Sequence, residues 1–298
     1  MKTLRTPEAR FDDLPDFPFE PNYADDLSGY EGLRVHWLDE GARGGAPVFL
    51  CLHGEPTWSY LYRRMIPPFV GSGGRVVCPD WLGFGRSDKP VDDAVYSFHF
   101  HRRMMLAFIE RLDLRNITLV VQDWGGLLGL TIPMEMPERF SRLIVMNTTL
   151  ATGALPGEAF AAWRSYVAAN PDLKVGALMK RACPHLNDAE AAAYDAPFPS
   201  IEYKAGVRRF PQLVMTEPGM EGVQESVAAL AFWREEWQGQ SFMAIGAADP
   251  VLGSVVMNRL RSNIRNCPQP FIVEQGGHFL QEWGEDVAAK ALESFSKG

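Results

Sequence analysis

No stretch of this 298-residue sequence is apolar for long enough to cross a membrane. The first ten residues, Met1 to Arg10, lack the apolar run of a secretory signal, so a cytoplasmic protein with no membrane partner is expected. Cysteine is scarce: Cys51, Cys78, Cys183 and Cys267 lie far apart with no Cys-x-x-Cys spacing. That argues against a disulfide framework or a metal knuckle and predicts small buried thiols for the two that sit in apolar runs. Basic residues are in deficit, 29 Lys and Arg against 37 Asp and Glu. A formal charge of -8 leaves no clustered cations for a nucleic-acid backbone. A phosphate loop is missing as well. The Gly-punctuated stretch Asp80 to Asp88 carries no Gly-Lys-Ser/Thr and reads as structural. Internal repeats and low-complexity linkers are also lacking.

What is present suits a soluble globular enzyme, with 46% hydrophobic and 22% charged residues. Short β-rich runs are predicted at 33–39, 48–53, 75–80, 117–123, 143–147, 242–249 and 271–275, alternating with longer amphipathic stretches. Runs such as Val48 to Leu52 and Leu143 to Met146 are apolar at every position, the pattern of parallel strands covered on both faces. Between Asn147 and about Gln240 this rhythm lapses into Ala-rich helical stretches, 158–169, 188–193 and 223–237, broken by prolines including Pro197 and Pro211. A strand then returns at Phe242. The expected architecture is an α/β sheet domain of residues 1–147 and 241–298, mostly parallel and flanked by helices, with a helical cap, 148–240, inserted in it. The two ends of the insertion should lie close together.

Three motifs carry chemistry. Val120-Val121-Gln122-Asp123-Trp124-Gly125-Gly126 ends an apolar strand and runs into a helix, the setting of a nucleophile elbow in the α/β-hydrolase fold. It departs from Gly-x-Ser-x-Gly at Val121 and at Asp123, so the nucleophile there is a carboxylate; a plain helix cap is the bland alternative. His53-Gly54-Glu55-Pro56 follows an earlier strand, where such enzymes place an oxyanion loop, so the backbone N–H groups of Glu55 and Trp124 are the expected donors. Gly276-Gly277-His278 comes after the last strand, as the order nucleophile, acid, histidine requires. His278 is the expected general base. Asp249 is placed to orient it, with Asn147 the other position for the acid but uncharged. His99 and His101 could share a strand face but have no third ligand nearby, and neither metal nor cofactor is called for.

These residues resemble the haloalkane dehalogenases, over most of the chain from Tyr30 onward. The likeness rests on Cys51 to Arg63, on Val121 to Gly126, and on Tyr203 to Pro211 in the insertion. It implies hydrolysis of small haloalkanes to alcohol, halide and a proton, through an alkyl ester on Asp123 that His278-activated water then cleaves. The partners it implies are an apolar halogenated substrate and a halide ion, and a monomer is expected. Trp124 matches one halide-binding N–H of the family. The second is an Asn in the oxyanion loop or a Trp from the first cap helix. Glu55 stands at the loop position and cannot donate when ionised, so the resemblance points to Trp163, with Trp233 and Trp237 as rivals. Leu127, Phe160, Phe210, Pro211 and Val214 are implied as the apolar pocket. An epoxide hydrolase of the same fold, with acid tyrosines among Tyr166, Tyr194 and Tyr203, is the nearest alternative; a non-catalytic binding protein of this fold is another.

Overall fold

The computed structural model describes residues 1–297. Ten strands form in chain order: β1 Thr3–Leu4, β2 Asn22–Ala24, β3 Val35–Gly41, β4 Val48–Leu52, β5 Arg75–Pro79, β6 Lys89–Pro90, β7 Ile117–Gln122, β8 Phe140–Met146, β9 Gln240–Gly246 and β10 Phe271–Val273. β1 and β6 pair in a small ribbon, and the other eight form one sheet in the order β10-β9-β8-β7-β4-β5-β3-β2. Every pair from β5 through β10 is parallel, while β3 runs antiparallel to β5 and β2 antiparallel to β3. The mostly parallel sheet is as expected.

Helices α1 Ile66–Gly71 and α10 Gly284–Ser296 cover one face of the sheet, and α2 Phe98–Arg111, α3 Asp123–Gly129 and α9 Ser254–Arg261 the other. Alternate residues of each central strand feed two separate cores. Leu50, Leu119, Val121, Leu143 and Val145 pack with Met105, Phe108 and Leu128 on one side. Phe49, Cys51, Val120, Ile144 and Met146 pack with Phe69, Val287 and Ala291 on the other. Strands with two buried faces have no polar side to alternate with, which is why they read as unbroken apolar runs.

Between β8 and β9 the chain forms five further helices, α4 Glu158–Ala169, α5 Val175–Ala182, α6 Asp188–Ala193, α7 Ala205–Leu213 and α8 Val223–Glu235. α4 and α6 have the predicted bounds, and α8 stops two residues early. This segment leaves and returns on adjacent strands, with Met146 in register with Ala244. Strand ends differ systematically from the prediction: His53, Asp80, Asp123 and Asp249 all lie beyond the ladders in which they were expected. Each has left its strand to build the loops at the C-terminal edge of the sheet, where open α/β sheets bind ligands. No helix among the described residues is long and apolar enough to cross a membrane.

Candidate active site

The turn after β7 is tight. Asp123 sits at φ 49°, a left-handed conformation strained for a residue with a Cβ, and α3 starts at once. A Cβ on Gly125 would lie 1.9 Å from the Leu52 carbonyl oxygen, so only glycine lets the helix come this close to the end of β4. The same holds at Gly54, where a Cβ would fall 2.4 Å from Oδ1 of Asp123. The strained turn is held by the Asp123 N–H donating to the Asn147 carbonyl at 3.1 Å and by the Thr148 hydroxyl donating to the Asp123 carbonyl at 2.7 Å. Glu55 N–H donates to Asp123 Oδ1 at 2.7 Å. The Trp124 N–H lies in the first turn of α3, where amides have no intrahelical acceptor.

His278 faces the same carboxylate. Its Nε2 is 3.4 Å from Asp123 Oδ2, and its Nδ1 is 2.8 Å from Asp249 Oδ2. Burial alone would push the imidazolium down, but Asp249 and Asp123 more than offset this and raise His278 to about 10. Asp249 is the opposite case. Burial would raise it, yet His278 and the N–H groups of Val251 and Leu252 hold it far below the usual carboxylate range. Asn147 is not an alternative acid; its amide donates to Asp249 Oδ2 at 3.0 Å and to the Gly246 carbonyl, while its oxygen accepts from Gly246 N–H. Sequence reasoning missed two further supports: Gln122 donates to the His278 carbonyl at 3.0 Å, and Gln281 donates to Gln122. His53, buried and kept neutral by burial, accepts from Trp81 N–H and fixes the 53–56 loop against the loop around Asp80. That second loop wraps Asp80, which accepts from Ser59 and Arg86 N–H, a structural part as expected.

Above Asp123, Asp249 and His278 lies a cavity of about 590 Å³ lined by Leu127, Phe160, Pro211, Val214 and both Trp124 and Trp163. Phe210 is displaced from its expected place. One residue before Pro211 on α7, it points about a quarter-turn away and packs behind the Trp124 ring, 4.7 Å between centroids, against Phe84 and His101. Of the eight tryptophans, Trp124 and Trp163 alone among the described residues line the cavity, and neither indole N–H donates to a protein acceptor. The rivals are occupied: Trp233 donates to the Leu130 carbonyl at 2.8 Å and Trp237 to the Ser241 hydroxyl at 2.9 Å.

Glu55 weakens the elimination by which Trp163 was reached. Burial, and then Asp123, push its carboxyl well above the usual range, toward the protonated form that can donate. Its Oε1 is buried without a partner. Trp163 therefore stands on its position and its free N–H, not on elimination. Tyr194 is bonded to Glu282, and none of Tyr166, Tyr194 and Tyr203 lines the cavity, which removes the acids an epoxide hydrolase would need. His99 and His101 lie on α2, not on a strand; His99 pairs with Glu225 and His101 with backbone carbonyls. The wall from α5, including Leu178, Arg181 and Ala182, went unread, although the Leu178 and Ala182 spacing is a helical signal.

Comparison with known proteins agrees with this geometry. Residues 47–285 match the family model of the alpha/beta hydrolase fold. The haloalkane dehalogenase of Psychrobacter cryohalolentis is 43% identical, with 99% of this chain and 98% of that protein covered. That of Mycolicibacterium paratuberculosis is 41% identical, with 98% of each covered. A solved structure, the tetrameric haloalkane dehalogenase DpaA from Paraglaciecola agarilytica, superposes with a TM-score of 0.97 at 54% identity over 99% of both chains. An Asp elbow under an apolar cavity with two free indole donors, together with this full-length likeness, shows that the chain belongs to the haloalkane dehalogenases of the alpha/beta hydrolase fold.

Proposed function

We propose that the chain hydrolyses small haloalkanes in two steps, with Asp123 as nucleophile, His278 as general base, Asp249 orienting and charging it, and the indole N–H groups of Trp124 and Trp163 binding the halide. The observation that carries this is the cavity that holds an Asp carboxylate and two unpaired indole donors. A desolvated carboxylate suits in-line displacement at saturated carbon, where the C–X bond electrons leave with the halide and an alkyl ester remains. Indole N–H groups donate only, so they favour the developing anion.

The second step follows from charge. With Asp123 ionised, His278 is an imidazolium, raised to about 10. Esterification removes the Asp123 charge and with it one of the two supports of that proton, so His278 becomes a usable base only once an ester is present. It then takes a proton from water, hydroxide adds to the ester carbonyl, the Glu55 and Trp124 N–H groups hold the oxyanion, and collapse returns Asp123 and the alcohol. The proton passes to solvent. Leu127, Phe160, Pro211 and Val214 hold the apolar chain of the substrate.

His278→Phe tests the route. One equivalent of halide should be released from 1,2-dibromoethane and the protein mass should rise by one alkyl group; loss of activity without an adduct rules the two-step route out. Trp163→Phe should weaken bromide quenching of tryptophan fluorescence about tenfold, the effect of losing a bond to a charged group.

The same reading divides the chain into a sheet domain, 1–147 with 241–298, and a cap, 148–240. Four unpaired cysteines favour a reducing, cytoplasmic setting. On quaternary state, the monomer expected from sequence stands against the tetramer described for the Paraglaciecola enzyme; sedimentation velocity at assay concentration decides between them.

A further inference from the structure

Arg181 is the only Lys or Arg lining the catalytic cavity among the described residues. It is exposed near the end of α5, and its guanidinium makes neither an ion pair nor a hydrogen bond with any described residue. A second hollow of about 480 Å³ lies outside it, between the end of α4 and α5, lined by Tyr166, Asn170, Asp172, Lys174, Leu178 and Arg181. Leu178 and Arg181 belong to both spaces and form their common wall. On the α4 side Trp163 lines the inner cavity and Tyr166 the outer hollow, with their rings stacked 6.1 Å apart. Residues three apart on each helix thus line the two adjoining spaces, the inner one at the indole donors and the outer one beyond it. The other charges in the outer hollow are already matched, since Asp172 pairs with Lys174 and Lys204.

An anion leaving this site passes an apolar wall, which penalises charge, and leaves a triad with two carboxylates against one imidazolium. A free guanidinium where the two spaces meet lowers that barrier in both directions. We infer that the outer hollow is the exit of the halide product and that Arg181 is the electrostatic gate on it. This rests on halide binding at Trp124 and Trp163.

Stopped-flow quenching by sodium bromide tests both layers separately. The unmodified enzyme should show bromide quenching; its absence overturns the halide-site reading itself. Given that signal, Arg181→Gln should slow bromide association roughly fivefold and Arg181→Glu further, while Arg181→Lys stays near the parent rate. Dissociation should slow in the same order, so the equilibrium constant moves less than either rate. The parent association rate should fall with ionic strength, and that slope should flatten in Arg181→Gln. Equal rates in the Lys, Gln and Glu variants, or rates insensitive to ionic strength across the series, overturn the gate.

Discussion

Glu55 shows how much a single side chain can mislead when its charge is taken from its name. As an anion it would set a second negative charge beside Asp123. Burial to 4% exposure, with that carboxylate for a neighbour, raises its pKa and so favours the protonated form. Its folded-state pKa is raised, so the folded protein binds a proton that the unfolded chain loses above a pKa of about 4.3. Stability from this group is therefore unaffected below that value and falls as pH rises toward the folded pKa, by about 1.4 kcal/mol per unit. Glu55→Gln is neutral at every pH and nearly isosteric. It should melt higher than the parent at pH 8, with the difference shrinking toward zero at pH 4, and should keep activity within a few-fold. Melting curves from pH 4 to 8 check this; parallel curves would mean that Glu55 is ionised in the folded protein.

The join between β8 and β9 puts the same kind of test one scale up, on an element. Their parallel ladder ends at Met146 and Ala244, and the Asn147 side chain then takes over, bonding both the N–H and the C=O of Gly246 as a strand would. It also donates to Asp249, so it ties the sheet edge to the triad. Asn147→Ala strands buried groups of Gly246, at a cost of about 1–3 kcal/mol. It also removes a donor from Asp249, so kcat should fall with the melting temperature while bromide binding holds. Asn147→Asp should be worse for stability, because it offers Gly246 O no donor and sets a second carboxylate on Asp249. Which elements could be read from sequence follows a similar logic. Asp123 was legible because a charge between an apolar strand and two glycines has few structural uses. α7 was not, because Pro211 reads as a breaker; it sits near the helix end, where its missing N–H costs one bond, and its burial beside Phe210 offsets that. β2 has only three residues, too few for any period to register, and Ser141 and Arg142 hid the start of β8, though Arg142 is paired in its ladder.

At the scale of the whole molecule, the five helices between β8 and β9 need an anchor to the sheet domain, and a buried charge cluster supplies one. Arg63 lies over the Tyr60 ring and bonds both oxygens of Glu282, at 2.6 and 2.9 Å, and Glu190 of α6 at 3.1 Å. Arg64 bonds the same two glutamates, and Tyr194 bonds Glu282. Two cations balance two anions here, and breaking the balance costs more than the set contributes as a whole. Arg63→Met leaves Glu282, whose side chain is fully buried, short of a partner, a loss of about 3–5 kcal/mol. For a chain of this length that lowers Tm by roughly 10 °C. Adding Glu282→Leu removes the stranded charge and leaves Arg64 with Glu190 as a balanced pair, so the double variant should regain part of the lost Tm, with the Tyr194 hydroxyl accounting for what is not regained. A double variant no more stable than Arg63→Met would show that the cluster acts through packing, not through its charge balance. Because α6 packs on α5, which carries Leu178 and Arg181 into the cavity wall, Arg63→Met should also raise KM for haloalkanes before the protein unfolds.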